Sequence, residues 1–300
     1  MVESKRIPRS LGTHDGTFHA DEVTACALLL ICNCIDRELI FRTRDPIVLD
    51  KYEYVCDVGG VFDQNCKRFD HHQIEYEGEL SSCGMILNFL EESGSFSKLQ
   101  ATALRNTLVF GIDEDDCGRY SKQKGVCTFS MVISNFNALR PFTREEQENA
   151  FHAALDFCLG YLRRFLKRQE HVLSSFETVK KTLQESNLAL IFDESMPWVE
   201  SFFLAGGADH PALFLVMPSH NEWHLRSIPE SLENPMRSRR YLPECWAGLF
   251  GEEFEKESKI KGGIFCHKNR FLSVWKTKKA SLEALEFVLK LEKGYTLGNE

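Results

Sequence analysis

A chain of 300 residues is longer than one ordinary core needs, so two domains of middling size are expected. A hydrophobic fraction of 43% beside 27% charged residues is that of a globular protein, and no run of about 18 apolar residues predicts a membrane span. The net charge of −8 excludes a protein that coats nucleic acid non-specifically, which needs concentrated Lys and Arg, but leaves room for a nuclease whose divalent ions would offset carboxylates.

The first ten residues lead into GTHDGTF rather than into an apolar stretch with a cleavage site, and the 11 cysteines are scattered singly with no CxxC pair. Free, mostly buried thiols and a cytoplasmic location are the expectation. In chain order, EVTACALLLICNC (22–34) reads as a buried helix directly after a polar cluster. Short strands are expected at 38–43 and 53–56, and helices at 82–92 and 98–110. Strands alternating with helices favour a parallel α/β sheet over residues 1–142. Thr143 and Glu146 stand at capping-box spacing and open a long connecting helix over 143–185, with a break near Gly160. Over 186–300, LALIF, ALFLVMP and GGIFCHKNRFLSVW read as strands, with a turn at Gly206-Gly207 and a final helix over 279–292. That half reads as a smaller α/β or α+β domain.

The chemistry concentrates between Gly12 and Asp113. THDGTFHADE sets His14, Asp15, His19, Asp21 and Glu22 just before the first helix. Asp57 follows a strand in CDVGG, where Gly59 and Gly60 allow positive φ. Asp70, His71 and His72 follow in RFDHHQ, and Asp113 ends the apolar run LVFGID. Each of these later acids follows an apolar segment, and a parallel sheet brings the carboxyl ends of its strands to one edge. Imidazole and carboxylate without thiolate suit Mn²⁺, with Mg²⁺, Zn²⁺ or Fe²⁺ as alternatives. The donors are too many for one tetrahedral ion, so two divalent ions sharing a carboxylate are expected, clamping the attacking and leaving oxygens of a phosphoryl displacement by an activated water. Singly, Asp15 and Glu22 could do no more than favour a helix N-terminus. Cys56, Cys66 and Cys117 lack the spacing of a thiolate site.

Asp70-His71-His72, with the upstream His/Asp cluster and an isolated Asp after a strand, resembles the DHH phosphoesterase superfamily. More closely, GTHDGTFHADE, DVGG, DHHQ, GID, LPECWAGL and FCHKNRF resemble the Myg (melanocyte proliferating gene) family of metal-dependent 3′-5′ RNA exonucleases, from about Gly12 to the last helix. The resemblance implies that His14 holds one metal and Asp21 the second, that His19 stands where many superfamily members have Asp, and that Asp57 bridges both ions. It further implies that His71 and Asp113 complete the second ion's shell, that Asp70 orients its neighbours or touches the metal site, and that His72 binds the scissile phosphate or protonates the leaving oxygen. Asp15 is an alternative to His14 or His19, and the acidic run after Asp113 would disfavour a polyanion.

A substrate grip from the smaller domain is also implied, with Gly206, Gly207, Arg226, Arg239, Arg240 and His267 as candidates, and Arg237 completes the RSRR run. Trp223, Trp246 and Trp275 are candidates for stacking bases or for the core. The expected activity is a phosphodiesterase, a 3′-5′ exonuclease on RNA or short oligonucleotides. A small-substrate phosphohydrolase acting on pyrophosphate or a cyclic dinucleotide, and a non-catalytic metal-binding regulator, are the alternatives. The oligomeric state is open, with a homodimer as one option.

Overall fold

The computed structural model describes residues 6–296, the side chains of 292–296 excepted. The chain divides into two units, Met1–Gln169 and Glu170–Glu300.

In the first unit β1 (Ile7–Thr13), α1 (Ala20–Ile31), β2 (Ile40–Arg42), α2 (Pro46–Leu49), β3 (Tyr52–Cys56), β4 (Phe62–Asp63) and β5 (Arg68–Phe69) follow one another. The sheet order is β2-β1-β3-β5-β4; its first four strands run parallel, and β4 pairs antiparallel with β5 at the edge. The register sets Thr13 opposite Arg42, Gly12 opposite Val55, and Cys56 opposite Phe69. The loops opening at Thr43, His14, Asp57 and Asp70 therefore leave the same edge. The chain runs from β1 out to β2, then crosses to β3 on the other side of β1, so β1 and β3 border a topological switch point, where open α/β sheets leave a crevice.

The predicted elements are present with shifted bounds. A 3₁₀ turn, Arg37–Leu39, takes the first half of the strand expected over 38–43. α3 (Ser82–Glu92) has its expected ends. The helix expected to stop at residue 110 continues: α4 (Lys98–Leu104) passes through a π-helical stretch, Arg105–Val109, into α5 (Phe110–Asp116). Asp113 thus lies inside a helix and not at a strand end. After α6 (Phe129–Ser134), α7 (Arg144–Ser174) runs unbroken through Gly160 and stops before Ser175. Its Phe151, Leu155, Leu159, Leu162 and Leu166 recur every three or four residues and join α1 and α3 in one core. The expected capping box is formed: Thr143 N donates to Glu146 Oε2 at 2.7 Å and Glu146 N to Thr143 Oγ1 at 3.2 Å.

The second unit contains α8 (Phe176–Glu185), β6 (Ala189–Ile191), α9 (Val199–Leu204), β7 (Phe214–Ser219), β8 (Glu222–Ser227), α10 (Gly251–Ser258), β9 (Gly263–Cys266), β10 (Leu272–Trp275) and α11 (Lys278–Thr296). Its sheet, β6-β7-β8-β10-β9, is antiparallel except for β6 with β7. One core gathers Phe214, Val216, Trp246, Phe254, Trp275 and Leu285; the other gathers Val179, Trp198, Phe202, Leu215 and Ile228. Strict alternation along β7 makes the two faces apolar in turn. Trp246 and Trp275 are fully buried and so are core residues, not base-stacking ones. No helix among the described residues is long and apolar enough to cross a membrane.

Candidate metal centre

Three groups of donors converge at the switch point. His14, His19, Glu22 and Asp57 form one, Asp57, His71 and His72 a second, and His19, Asp21 and Asp116 a third. Asp57 belongs to the first two and His19 to the first and last, so they make one continuous centre.

Asp57 is its pivot. Its φ of +57° is in the left-handed region, which Asp tolerates better than most residues, and turns the side chain across the strand ends. Its Oδ2 lies 3.1 Å from His14 Nε2, while Oδ1 lies 3.4 Å from His71 Nε2. Each oxygen faces a different imidazole, the arrangement of a bridging carboxylate. His14 Nδ1 donates to the carbonyl of Asp15 at 3.0 Å, and its Nε2 faces Glu22 Oε1 at 2.9 Å. Asp15 thus contributes its backbone, and its carboxylate lies in none of the donor groups. α1 presents Asp21 and Glu22 in its first turn, where the helix dipole favours negative charge, and His19 N donates to both Glu22 oxygens at 3.0 and 2.9 Å.

Two expected ligands are placed otherwise. Asp113 Oδ1 accepts from Ser81 N at 3.0 Å, Ser81 Oγ at 2.7 Å and Gly84 N at 3.2 Å, closing the start of α3. A Cβ on Gly84 would stand 2.4 Å from Asp113 Oδ2. Asp113 therefore serves a helix end, and Asp116, one turn on, reaches the centre, 3.0 Å from His71 Nε2. Asp70 lies outside the three donor groups. Its Oδ2 accepts from Gly60 N and its Oδ1 from His72 Nδ1 at 2.8 Å, so it orients His72. No cysteine belongs to the donor groups; Cys117 Sγ lies 3.9 Å from His71 Nδ1, on the far side of that ring from Asp57. Glu22, named with the first cluster, joins the donors, whereas Asp116 and Arg44 were not singled out: Asp116 is one of three acids after Asp113, and only helical phase distinguishes it.

The charges have physical consequences. Burial, followed by the charges of Asp57, Glu22 and Asp116, pushes Asp21 well above the usual carboxylate range. Burial opposes charge on the histidines too, yet Asp57 and Glu22 hold His14 up to about 10, and Asp116 and Asp57 hold His71 up to about 10. Against its own burial, Asp57 is held below the carboxylate range by His14 and His71. Both Asp21 oxygens are buried with no hydrogen-bond partner. An unpartnered buried carboxylate is costly unless a cation sits against it, so the donor set fits divalent ions. A cleft of about 270 Å³ lined by His19, Arg44, Gly59 and His72 opens onto the centre.

Several substrate candidates of the second unit have structural partners of their own. Arg239 donates to the carbonyls of Gly207 at 2.7 Å, Ala208 at 3.0 Å, His210 at 2.6 Å and Ala212 at 3.2 Å, so its guanidinium is committed to the backbone. Gly206 takes φ +89° to turn the chain, and a Cβ on Gly207 would meet Phe202 at 2.5 Å, so this Gly pair serves packing. Arg226 is half-buried on β8, Arg240 lines a groove with Tyr241 and Arg270, and His267 lies tilted against Phe271 with ring centroids 4.4 Å apart.

Fold and site together define a class: α/β proteins whose strand ends gather carboxylates and imidazoles into one donor cluster. Residues 10–287 match the family described as MYG1_exonuc, Uncharacterised protein family (UPF0160), and the chain belongs to it. The MYG1 protein of Chlamydia pneumoniae is 46% identical over 95% of this chain and 98% of its own. The human MYG1 exonuclease is 28% identical over 92% of this chain and 84% of its own. Among solved structures, RecJ of Thermus thermophilus in complex with Mn²⁺ aligns with 94% of this chain at 12% identity and a TM-score of 0.27; the chain spans 52% of its length.

Proposed function

We propose that this chain is a metal-dependent 3′-5′ exonuclease that hydrolyses RNA or short oligonucleotides with two divalent ions, manganese preferred. The name MYG1 exonuclease, carried by the human and bovine relatives, supports the activity. The observation that carries the reading is Asp57 between His14 and His71, with the partnerless Asp21 carboxylate buried beside it.

His14, Glu22 and Asp57 would hold one ion, and Asp57, His71, Asp21 and Asp116 the other, with His19 at the margin of both. When bound, such ions polarise a phosphoryl oxygen and make water a nucleophile at neutral pH. The rest falls to this chain's own side chains. Asp70 holds His72 through Nδ1 and keeps its Nε2 for the substrate. The hydrogen bond to Asp70, against burial, raises the pKa of His72, which favours the protonated ring that would donate to the departing sugar oxygen. Buried walls keep the carboxylates away from competing water.

The test is incubation of a 5′-labelled single-stranded RNA and its DNA counterpart with Mn²⁺, Mg²⁺ or EDTA. A metal-dependent ladder shortening from the 3′ end, lost in Asp57→Ala and slowed in His72→Ala, is expected. Intact RNA and DNA in every metal would overturn the nuclease reading.

A further inference from the structure

Two hollows of the first unit share a wall. The cleft at the metal centre is lined by Arg44 together with Val58 and Gly59. A second hollow of about 550 Å³ is lined by the same Val58 and Gly59 and by Ile47, Lys51, Val55 and Val61. The first lies at the strand ends and the second runs beside α2 and β3, with Asp50 and Lys51 at its rim; the two adjoin at Val58 and Gly59 and together make a trough. Its far part is apolar and open: Ile47 is 75% exposed and Val61 47%. Large apolar side chains left uncovered beside a polar site mark a surface that something covers.

At the near end stands Arg44. Its Nη2 lies 3.2 Å from His14 Nδ1, a nitrogen whose proton already goes to the Asp15 carbonyl, and its Nε is 3.6 Å from Asp15 Oδ1, beyond hydrogen-bond length. The guanidinium, largely exposed and with Asp15 as an ion-pair partner, lines the cleft, a placement that suits a phosphate. Lys51 is exposed at the far rim. Arg68, which also lines the hollow, is spent on the carbonyls of Tyr52 and Glu53 and on Asp50 at 3.8 Å.

We propose that this trough is a nucleotide subsite: Arg44 takes the phosphate, and the base lies against Ile47, Val55 and Val61. The proposal rests on the nuclease reading and specifies which part of the substrate the first unit grips. A volume of about 550 Å³ lies within the roughly 300–1,000 Å³ of small-molecule sites. Charge at one end and apolar walls at the other match a nucleotide better than pyrophosphate, which has no apolar part.

The experiment is calorimetric titration of the manganese-loaded chain with AMP and with ribose 5-phosphate. Covering a base on apolar side chains is expected to make AMP bind about tenfold tighter. Ile47→Asp, at an exposed position that leaves folding intact, brings that ratio near one while ribose 5-phosphate binds as before. Arg44→Gln weakens both ligands by about tenfold. Equal binding of the two ligands by the wild type, no binding of AMP, or a ratio unchanged in Ile47→Asp overturns the subsite. Intact RNA with the AMP preference retained counts against the nuclease reading alone, and RNA cleavage with a ratio of one against the subsite alone.

Discussion

At the scale of single residues, the centre depends on side chains of one type doing unlike work three residues apart. Asp113 and Asp116 lie on the same helix, yet the first accepts three hydrogen bonds from the start of α3 and the second meets His71. Removing the acceptor in Asp113→Ala strands buried donors and is expected to cost about 1–3 kcal/mol in denaturant melts, with metal affinity kept. Asp116→Ala should do the reverse, melting near wild type while metal affinity falls at least about tenfold. The buried Asp113 carboxyl is pushed up to about 6, burial outweighing its bonds to Ser81 and Gly84. Its folded value is raised, so its ionisation costs stability as pH climbs from the ordinary carboxylate range through about 6. Asp70 acts through His72. In Asp70→Asn the ring loses the carboxylate that raises its pKa, so an activity that needs the protonated ring falls off at lower pH. A pH–rate profile whose alkaline limb stays in place assigns the acid elsewhere.

At the scale of elements, two devices set side chains where sequence spacing alone would not. The π-helical stretch before α5 widens the turn and changes the phase at which Asp113 and Asp116 project. In the second unit, Arg239 ties the turn at Gly206 to the strand that follows through four carbonyls, with its guanidinium 5.2 Å from the Phe202 ring centre. Arg239→Ala is expected to lower stability by about 1–3 kcal/mol and leave metal and AMP binding unchanged. A variant that melts like wild type and loses nucleotide affinity would return Arg239 to the substrate.

At the scale of the whole molecule, the metal centre couples protons to cations. The carboxylates hold His14 and His71 up to about 10 against burial, so both rings carry protons at neutral pH, which bound divalent ions would displace. Loading at pH 7.5 should release the protons of both rings, read from the dependence of calorimetric heat on buffer ionisation enthalpy. Chelation should lower the melting temperature, since a ligand at a hundred times its Kd contributes roughly 2.7 kcal/mol. Heats that do not vary with buffer would mean that the ions bind away from these histidines.

What the sequence by itself determined is local. A polar residue directly after an apolar strand must leave the sheet at that strand's end, so His14, Asp57, Asp70 and His71 were legible as one set once the sheet was read as parallel. The family pattern reinforced the same positions. What only the tertiary structure decided is orientation among equals. Within GIDEDD every acid has the same chemistry, and helical phase plus the buried start of α3 chose Asp116 for the centre and Asp113 for the cap. Charge marked Arg239 as a phosphate ligand, but four carbonyls claimed it first, whereas Arg44, unremarkable in sequence, was left facing the cleft. Composition supplies donors and charges, but which of them remain unsatisfied depends on neighbours far away in the chain, and unsatisfied groups are the ones free to bind.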